Sequence, residues 1–324
     1  MARLVRKEAA LDFARAVDKF LEYCRAKGLS EHTVSWYGGK LASFGEYIGG
    51  LNPGDIKAEH IRGFILERQE EVAVETINGY LRTLKAFFGF LVREGRLTEN
   101  PMRAVPMVKG KKAVIPAFSR EQVLRLLRMP DKSTFKGFRD YMIMLVMLDT
   151  GMRISEVCGL KVKDLDVSTG VIKVLGKGNK ERFVYVSERT VRELKVYLCE
   201  CLAEATEDWP LFPNQWGGRL SRRTFEESLS EYGRLAGISG VRVSPHTFRH
   251  TFAKEYLLNG GDMVSLQRLL GHTTLEMVRR YVNLLDREIA AQHNKFSPVE
   301  ALLGEGKPRG LGVGRGSPGR RGQA

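Results

Sequence analysis

Residues 170–187, GVIKVLGKGNKERFVYVS, are the stretch that decides the fold of this 324-residue sequence. An apolar run at 171–175 is matched by a second one at 183–186 across the polar turn at 176–180. Two runs of β-branched and aromatic residues around a glycine-containing turn predict a β-hairpin. The segments around it carry apolar residues at helical spacing. We therefore predict a mainly α fold in which a mostly helical α+β domain carries one small antiparallel sheet.

Helices on both sides of the hairpin complete this second domain. Ser119 and Gln122 form a capping-box pattern at its start, and a helical pattern continues through Asp149. Asp164 and Asp166, just before the hairpin, read as a turn. After the hairpin, helices are expected near residues 188–199, 222–235, 245–259, 263–270 and 275–283.

The N-terminal part of the chain is predicted to be a separate, small helical domain. Ser30 caps its second helix, Asp55 begins the third, and the fourth runs over residues 75–92. Prolines and glycines then punctuate a semi-extended linker. The last residues are rich in glycine and arginine and are predicted to be disordered. The predicted segments are 1–95, helical domain; 96–118, linker; 119–297, second domain; and 298–324, tail.

The charge balance points to a polyanionic partner. The chain has a formal net charge of +14, with 43% hydrophobic and 28% charged residues, which is a globular composition with a large basic excess. Such an excess favours nucleic acid, although simple solubility is the alternative. Lys109, Lys111 and Lys112 cluster in the linker and are expected to lie along a phosphate backbone. An ordinary solvated linker is the competing interpretation.

Simpler features of the sequence indicate the cellular compartment and the redox state of the cysteines. The longest apolar run, 141–148, is far shorter than the roughly 20 residues that span a bilayer, so it reads as a buried helix. The N-terminus lacks an apolar signal-peptide core, so we expect a cytoplasmic protein with no membrane partner. The four cysteines form no CxxC pair and are expected to be reduced thiols.

Residues 244–250, SPHTFRH, carry the strongest local chemistry. Ser244 is a helix N-cap with Pro245 at the first helical position, so His246 and Arg249 share a face in the first turns. A helix N-terminus with an arginine and a histidine predicts a phosphate site. His246 and His250 are also spaced as metal ligands, but the zincin motif needs glutamate directly after the first histidine, and threonine stands there.

Three further sites are ambiguous when judged alone. Arg153 begins a short helix after a glycine break, and Glu156 is placed to hold it, although this pair is equally a structural one. Lys177 lies at the hairpin tip, either solvated or reaching into a DNA groove. His272 follows a C-capping glycine, and Tyr281 comes nine residues later, where a packed aromatic is the usual reading.

Taken together, the order and spacing of these residues resemble the active site of the tyrosine recombinase, or phage integrase, family. The quoted motifs are TGMRISE at 150–156, GKGNKER at 176–182, HTFRH at 246–250 and LGH at 270–272, followed by Tyr281. The layout of a helical domain, a linker and a catalytic domain is similar to Xer-type members. The resemblance implies a SAM-like core-DNA-binding domain at 1–95 and a catalytic domain at 119–297.

The same resemblance implies which side chains stabilise the negative charge of the phosphate. Arg153 and Arg249 contact the non-bridging oxygens, and His272 donates a further hydrogen bond. Glu156 and His250 support these side chains. No metal and no cofactor are expected, because the family works without either and no carboxylate cluster for two-metal chemistry is evident.

The covalent steps are also implied by the resemblance. Tyr281 attacks phosphorus to give a 3′-phosphotyrosine, His246 is the base, and Lys177 protonates the leaving 5′ oxygen. The expected function is therefore site-specific DNA recombination or integration, without ATP. Lys109, Lys111, Lys112 and Lys180 are the expected DNA-binding residues.

The expected partners are double-stranded DNA with paired half-sites and further copies of the chain. The segment after Tyr281 is expected to join four protomers on DNA, the alternative being that it folds back on its own domain. Two rival functions remain: a type IB topoisomerase that relaxes supercoils, and a non-catalytic DNA-binding protein. The sequence leaves open the DNA target and the choice between chromosome-dimer resolution, mobile-element integration and plasmid resolution.

Overall fold

The computed structural model describes residues 12–110, 116–176 and 181–271, together with residues 274, 275 and 278. The chain divides into two compact units, Met1–Ala113 and Val114–Ala324. Both are mainly helical where they are described, and the second also contains a small sheet, so the predicted fold class is confirmed. The four segment boundaries given above stay predictions.

Four α-helices form the described part of the first unit around an aromatic core. Asp12 and Ser30 cap the first two helices through their side chains, and the predicted Ser30 cap is confirmed. Phe20, Phe44 and Phe87 are almost fully buried between the helices. The helices are α1 (Phe13–Ala26), α2 (Glu31–Ile48), α3 (Ala58–Gln69) and α4 (Val74–Arg93).

The third helix begins later than the sequence suggested. Asp55 lies in a one-turn 3₁₀ helix, Pro53–Asp55, rather than at the start of α3. Ile56 is extended and its side chain is 4% exposed, so the chain enters the core before it turns into α3. Burying this isoleucine outweighs continuing the helical turn that Asp55 could have capped.

The segment after α4 packs within the first unit. Residues Pro101–Ala104 form a 3₁₀ turn whose Met102 side chain enters the core. The Asn78 amide on α4 then pairs with the main chain of Val108 in both directions, at 3.0 Å each. Lys109, directly after this clamp, is exposed.

The second unit is built on the buried helix α6. The predicted capping box at Ser119 and Gln122 is confirmed, and so is burial of the apolar run at 141–148, apart from a partly buried Leu148. The chain is not helical throughout to Asp149, however, because a turn interrupts it before Thr134, which caps α6. The helices are α5 (Arg120–Leu127), α6 (Phe135–Thr150), α7 (Ile154–Val157), α8 (Glu188–Cys201), α9 (Arg222–Leu235), α10 (Pro245–Leu258) and α11 (Met263–Leu270).

The predicted hairpin is confirmed and is joined by a third strand. β2 (Val171–Leu175) pairs antiparallel with β3 (Glu181–Tyr185), with Ile172 opposite Val184. β1 (Leu165–Asp166) pairs antiparallel with β2. The reading of Asp166 as a turn residue was therefore wrong, because it lies in β1 and its carboxylate accepts hydrogen bonds from the turn that follows. Asp164 ends a 3₁₀ turn.

Two further observations concern only the described residues. None of their helices is long and apolar enough to cross a membrane. Within the same part of the chain, no three or more histidine, cysteine, aspartate or glutamate side chains gather as a metal site would require. The four cysteines are free, with Cys24 and Cys158 buried.

Candidate active site

Arg153 is positioned by the junction between α6 and α7. Gly151 ends α6 with φ 63°, a conformation that suits glycine, and an added Cβ would collide with Phe252 and Leu270. Arg153 then caps α7, where Glu156 Oε2 accepts its main-chain N–H at 2.9 Å and Oε1 accepts Nη1 at 3.0 Å. The predicted Arg153–Glu156 contact is confirmed. The arginine side chain is 37% exposed, so it is held in place while still open to a ligand.

Arg249 joins two distant main-chain segments. Its guanidinium is buried, and Nη1 donates to the Gly151 carbonyl while Nη2 donates to the Leu270 carbonyl, both at 2.7 Å. The first contact fixes the turn that precedes Arg153. The second fixes the end of α11, directly before Gly271 and His272. Arg249 therefore sets the spacing between the two segments.

Arg182 on β3 is a site residue that our sequence reasoning missed. Its Nη1 and Nη2 donate to the two carboxylate oxygens of Glu156 at 3.0 and 2.8 Å. Its Nε donates to the Leu269 carbonyl at 3.1 Å, and an added Cβ at Gly271 would lie 3.2 Å from the guanidinium. Arg182 thus links α7, β3 and the end of α11. The sequence did carry a signal, because Arg182 stands two residues before Val184 and therefore on the same side of the strand. A cation on the core-facing side of a strand needs a buried partner.

We name the set formed by Arg153, Glu156, Arg182, Arg249 and the Leu269–Leu270 carbonyls the arginine frame. Burial opposes the charge of Glu156, but hydrogen bonds from Arg182 and from the Arg153 main chain outweigh it and hold the Glu156 pKa below its usual range. The Glu156 carboxylate is therefore ionised at neutral pH, and its side chain is only 7% exposed. One buried anion thus orients two cations.

Replacing Glu156 by glutamine is expected to lower the free energy of unfolding at pH 7 by about 3 kcal/mol, because two arginines lose their anionic partner. Because the folded-state pKa is depressed, the carboxylate contributes fully above its unfolded pKa of about 4.3. That contribution disappears as the pH falls through the lower folded value. The stability gap between wild type and Glu156→Gln should therefore be constant from pH 7 to 5 and narrow below about pH 4.

Urea unfolding followed by circular dichroism from pH 3 to pH 7 measures this gap. The matched control is Glu227→Gln, which removes an exposed ion pair with Arg223 on α9 and should cost less than about 1 kcal/mol. A gap for Glu156→Gln that stays the same at pH 3 and pH 7 would contradict an electrostatic origin.

His246 lies in the first turn of α10, as predicted. Ser244 caps this helix, with its Oγ accepting the Thr247 N–H at 3.3 Å, and Pro245 occupies the first turn. His246 is exposed and lines an open groove of about 570 Å³ together with Arg242, Glu226 and His250. It is three residues from Arg249 on the same helix, so α10 carries both groups.

Six predicted site residues lie outside the described residues: Lys111, Lys112, Lys177, Lys180, His272 and Tyr281. Their roles stay predictions. The described residues next to them nevertheless show where the chain leaves the described part of the structure and where it returns. Leu175 and Glu181 are paired across the hairpin that contains Lys177, and Gly271 leads from the arginine frame into His272.

The arginine frame is chemically suited to bind an anion. Arg153 and Arg249 are tied to the same turn at Gly151, and bidentate guanidinium groups suit the tetrahedral oxygens of a phosphate.

Comparisons with known proteins show the family of the chain. The model of the phage integrase family matches residues 116–288, and that of the N-terminal SAM-like domain of phage integrases matches residues 17–95. Tyrosine recombinase XerC of Thermodesulfovibrio yellowstonii is 33% identical over 87% of this chain and 96% of its own length. Tyrosine recombinase XerD of Listeria monocytogenes is 30% identical over 87% of this chain and 98% of its own length.

Solved structures share the fold. The XerH site-specific recombinase in a post-cleavage complex with palindromic difH DNA superposes with a TM-score of 0.72 at 21% identity, covering 86% of this chain and 84% of that one. A lambda integrase tetramer bound to a Holliday junction gives a TM-score of 0.70 at 18% identity, covering 83% of this chain and 80% of that one.

Proposed function

The chain belongs to the phage integrase family of tyrosine recombinases, and from that premise we propose that it cuts and rejoins DNA through a 3′-phosphotyrosine at Tyr281. It is a site-specific DNA recombinase. The observation that carries the proposed chemistry is the arginine frame, in which Arg249 and Arg182 hold the end of α11 against the segment that carries Arg153.

In the proposed reaction, Arg153 and Arg249 contact the non-bridging oxygens of the scissile phosphate. Their charge is matched to the additional negative charge of the transition state, and their hydrogen bonds fix them before the substrate arrives. His272 adds a hydrogen-bond donor. Arg249 holds Leu270, two residues before His272 in the sequence.

The covalent step exchanges one ester bond for another. The Tyr281 oxygen bonds to phosphorus as the bond from phosphorus to the 5′ oxygen breaks. The phenolic proton passes to His246, and Lys177 gives a proton to the departing 5′ oxygen. The phosphotyrosine retains the phosphodiester bond energy, so a second 5′ hydroxyl can reverse the step without ATP or a metal.

The proposed general acid can be tested with a modified substrate. Lys177→Ala is expected to slow cleavage of an ordinary phosphodiester by about 10²- to 10⁴-fold, because proton transfer in the transition state is lost. A 5′-bridging sulfur leaves without a proton, so cleavage of that substrate should be nearly unaffected. Single-turnover cleavage of both substrates measures the difference.

The matched control is Lys173→Ala on β2, which removes an exposed surface pair with Glu181 while leaving Lys177 in place. Its rates should equal those of wild type on both substrates. If Lys177→Ala slows both substrates equally, the lysine does not act as the acid.

We further propose that the substrate is double-stranded DNA with paired half-sites and that four copies assemble on it through the segment after Tyr281. The solved lambda integrase tetramer on a Holliday junction supports this assembly. The net charge of +14 and the exposed Lys109 support phosphate contacts, to which we add Lys111, Lys112 and Lys180. We place this activity in the cytoplasm, with the DNA that it recombines.

The rival functions are not favoured. The recombinase relatives cover 87% of the chain and therefore parts of both units. A nicked suicide substrate, in which the cleaved strand loses a short fragment, tests the proposal directly. A denaturation-resistant adduct between wild-type protein and the 3′ end is expected, and its absence would support a non-catalytic DNA-binding protein. Sequencing genomic DNA trapped in the adduct would identify the target site.

A further inference from the structure

The one-turn helix α7, which Arg153 caps, is held from two sides by arginine side chains. On the side of the arginine frame, Arg182 binds the Glu156 carboxylate at 3.0 and 2.8 Å. α7 spans only Ile154–Val157, about 6 Å, and a helix of this length has almost no stability of its own. The orientation of α7, and with it that of Arg153, therefore also depends on what holds its C-terminal end.

Arg219 holds the C-terminal end of α7 through two main-chain carbonyls. Its Nε donates to the Cys158 carbonyl at 3.1 Å and its Nη2 to the Ser155 carbonyl at 3.3 Å. Carbonyls at the end of a helix carry partial negative charge and lack partners within the helix, so a guanidinium is a favourable cap for them. An added Cβ at Gly159 would lie 3.1 Å from Arg219 Nη2, so glycine here lets the guanidinium lie close against α7.

The segment that carries Arg219 is anchored on a buried ion pair. Pro213 and Arg219 form an antiparallel bridge. The Pro213 carbonyl accepts a hydrogen bond from Arg139 Nη1 at 2.9 Å, and Arg139 also donates to Asp140 Oδ1 through Nε at 3.1 Å and Nη2 at 2.8 Å. Arg139 and Asp140 lie on α6 and are 3% and 0% exposed. Because charge-assisted pairs of this kind fix a guanidinium firmly, Arg219 approaches α7 from a fixed point.

We propose that Arg219 is a positioning residue for strand cleavage, which fixes the C-terminal end of α7 so that Arg153 keeps the orientation in which it meets the phosphate. The inference rests on the proposed function for the role of Arg153. A one-turn helix that is held from one side only can pivot about that side. A displacement of about 1 Å at a catalytic group can cost about 10²-fold in rate, so Arg219 affects cleavage strongly without contacting the phosphate.

Single-turnover cleavage of a nicked suicide substrate at saturating DNA separates positioning from binding. Arg219→Gln is expected to lower the maximal cleavage rate about 10- to 100-fold, as misplacement of a catalytic group does. The dissociation constant for DNA should change less than about threefold, because only one exposed charge is lost. Arg219→Lys retains that charge but offers one nitrogen in place of the planar fork, so its maximal rate should lie close to that of Arg219→Gln.

Arg192→Gln on α8 is the matched control. It removes an exposed arginine from a surface pair with Glu188 in the same unit, so both its rate and its affinity should equal those of wild type. The thermal midpoint of each variant identifies any loss of folding.

A double-mutant cycle tests whether Arg219 acts through Arg153. In an Arg153→Ala background, the side chain that α7 presents is gone, so Arg219→Gln should slow the remaining cleavage less than about twofold. The suicide substrate accumulates product irreversibly, which makes this slow reaction measurable. A merely structural role for Arg219 would instead lower the rate by the same factor in both backgrounds.

Amide hydrogen exchange reports on α7 without any reaction. In Arg219→Gln, the amides of residues 154–160 are expected to exchange at least about tenfold faster than in wild type, because local opening becomes easier when one anchor is lost. The amides of α8 should exchange at the wild-type rate and serve as the internal control.

Unchanged exchange at residues 154–160 in Arg219→Gln would overturn the inference. So would a raised dissociation constant with an unchanged maximal rate, because Arg219 would then act by binding DNA. A wild-type maximal rate for Arg219→Lys, or equal rate losses with and without Arg153, would overturn it as well. Failure of the proposed function is distinct: wild-type protein would then form no covalent adduct, while exchange at α7 would still respond to Arg219→Gln.

Discussion

Tyr281→Phe is expected to bind duplex DNA with wild-type affinity and to form no covalent adduct with a nicked suicide substrate. The substitution removes only the phenolic oxygen, which is the atom that would bond to phosphorus. Phosphate contacts from the arginine frame and the rest of the basic surface remain, so the dissociation constant should change less than about twofold. Gel shift measures binding, and denaturing electrophoresis measures the adduct.

Tyr256→Phe is the matched control for this experiment. Tyr256 packs against Phe252 on α10 and belongs to the same cluster as Leu270, but it has no assigned part in the reaction. Its adduct should form at the wild-type rate. A covalent adduct with Tyr281→Phe would show that a different side chain is the nucleophile.

Arg249→Lys is expected to lower the single-turnover cleavage rate on the order of 10³-fold, as removal of a donor that stabilises transition-state charge does. Lysine keeps the positive charge but offers one nitrogen in place of a planar fork. It cannot reach the carbonyls of both Gly151 and Leu270 from one buried position, so the two segments lose their fixed spacing. The wild-type distances of 2.7 Å leave little room for adjustment.

Arg234→Lys on α9 is the matched control, since Arg234 is an exposed arginine paired with Glu231. Its cleavage rate should stay within about twofold of wild type, as expected for an exposed surface pair. Thermal unfolding of both variants separates lost chemistry from lost folding. A rate for Arg249→Lys within tenfold of wild type would show that charge alone is sufficient and that the fork is not needed.

Features that depend on neighbours in the sequence were predictable. The caps at Ser30, Ser119 and Ser244 form hydrogen bonds three residues away, so the residue types alone indicated them. The β2–β3 hairpin was predictable for the same reason, because both strands and their turn are contiguous. The Arg153–Glu156 contact is also local.

Features that depend on partners far away in the sequence were not predictable. Arg182 meets Glu156 across 26 residues and Leu269 across 87, and no periodic pattern reports such a meeting. β1 has only two residues and forms by pairing with the edge of β2. It is too short to show a periodic hydrophobic pattern of its own. The late start of α3 follows from burial of Ile56, which depends on the rest of the core.

The long-range character of the arginine frame has a consequence during synthesis. The frame needs Gly151, Glu156 and Arg182, but also Arg249 and the two carbonyls at the end of α11. A nascent chain, or one cut before Leu269, lacks those carbonyls, so Arg182 and Arg249 each lose one of their anchors. If cleavage uses this frame as proposed, competence to break DNA is expected only after nearly the whole second unit has been made and folded. On the proposed mechanism, an unfinished copy of this recombinase is therefore expected not to cleave DNA.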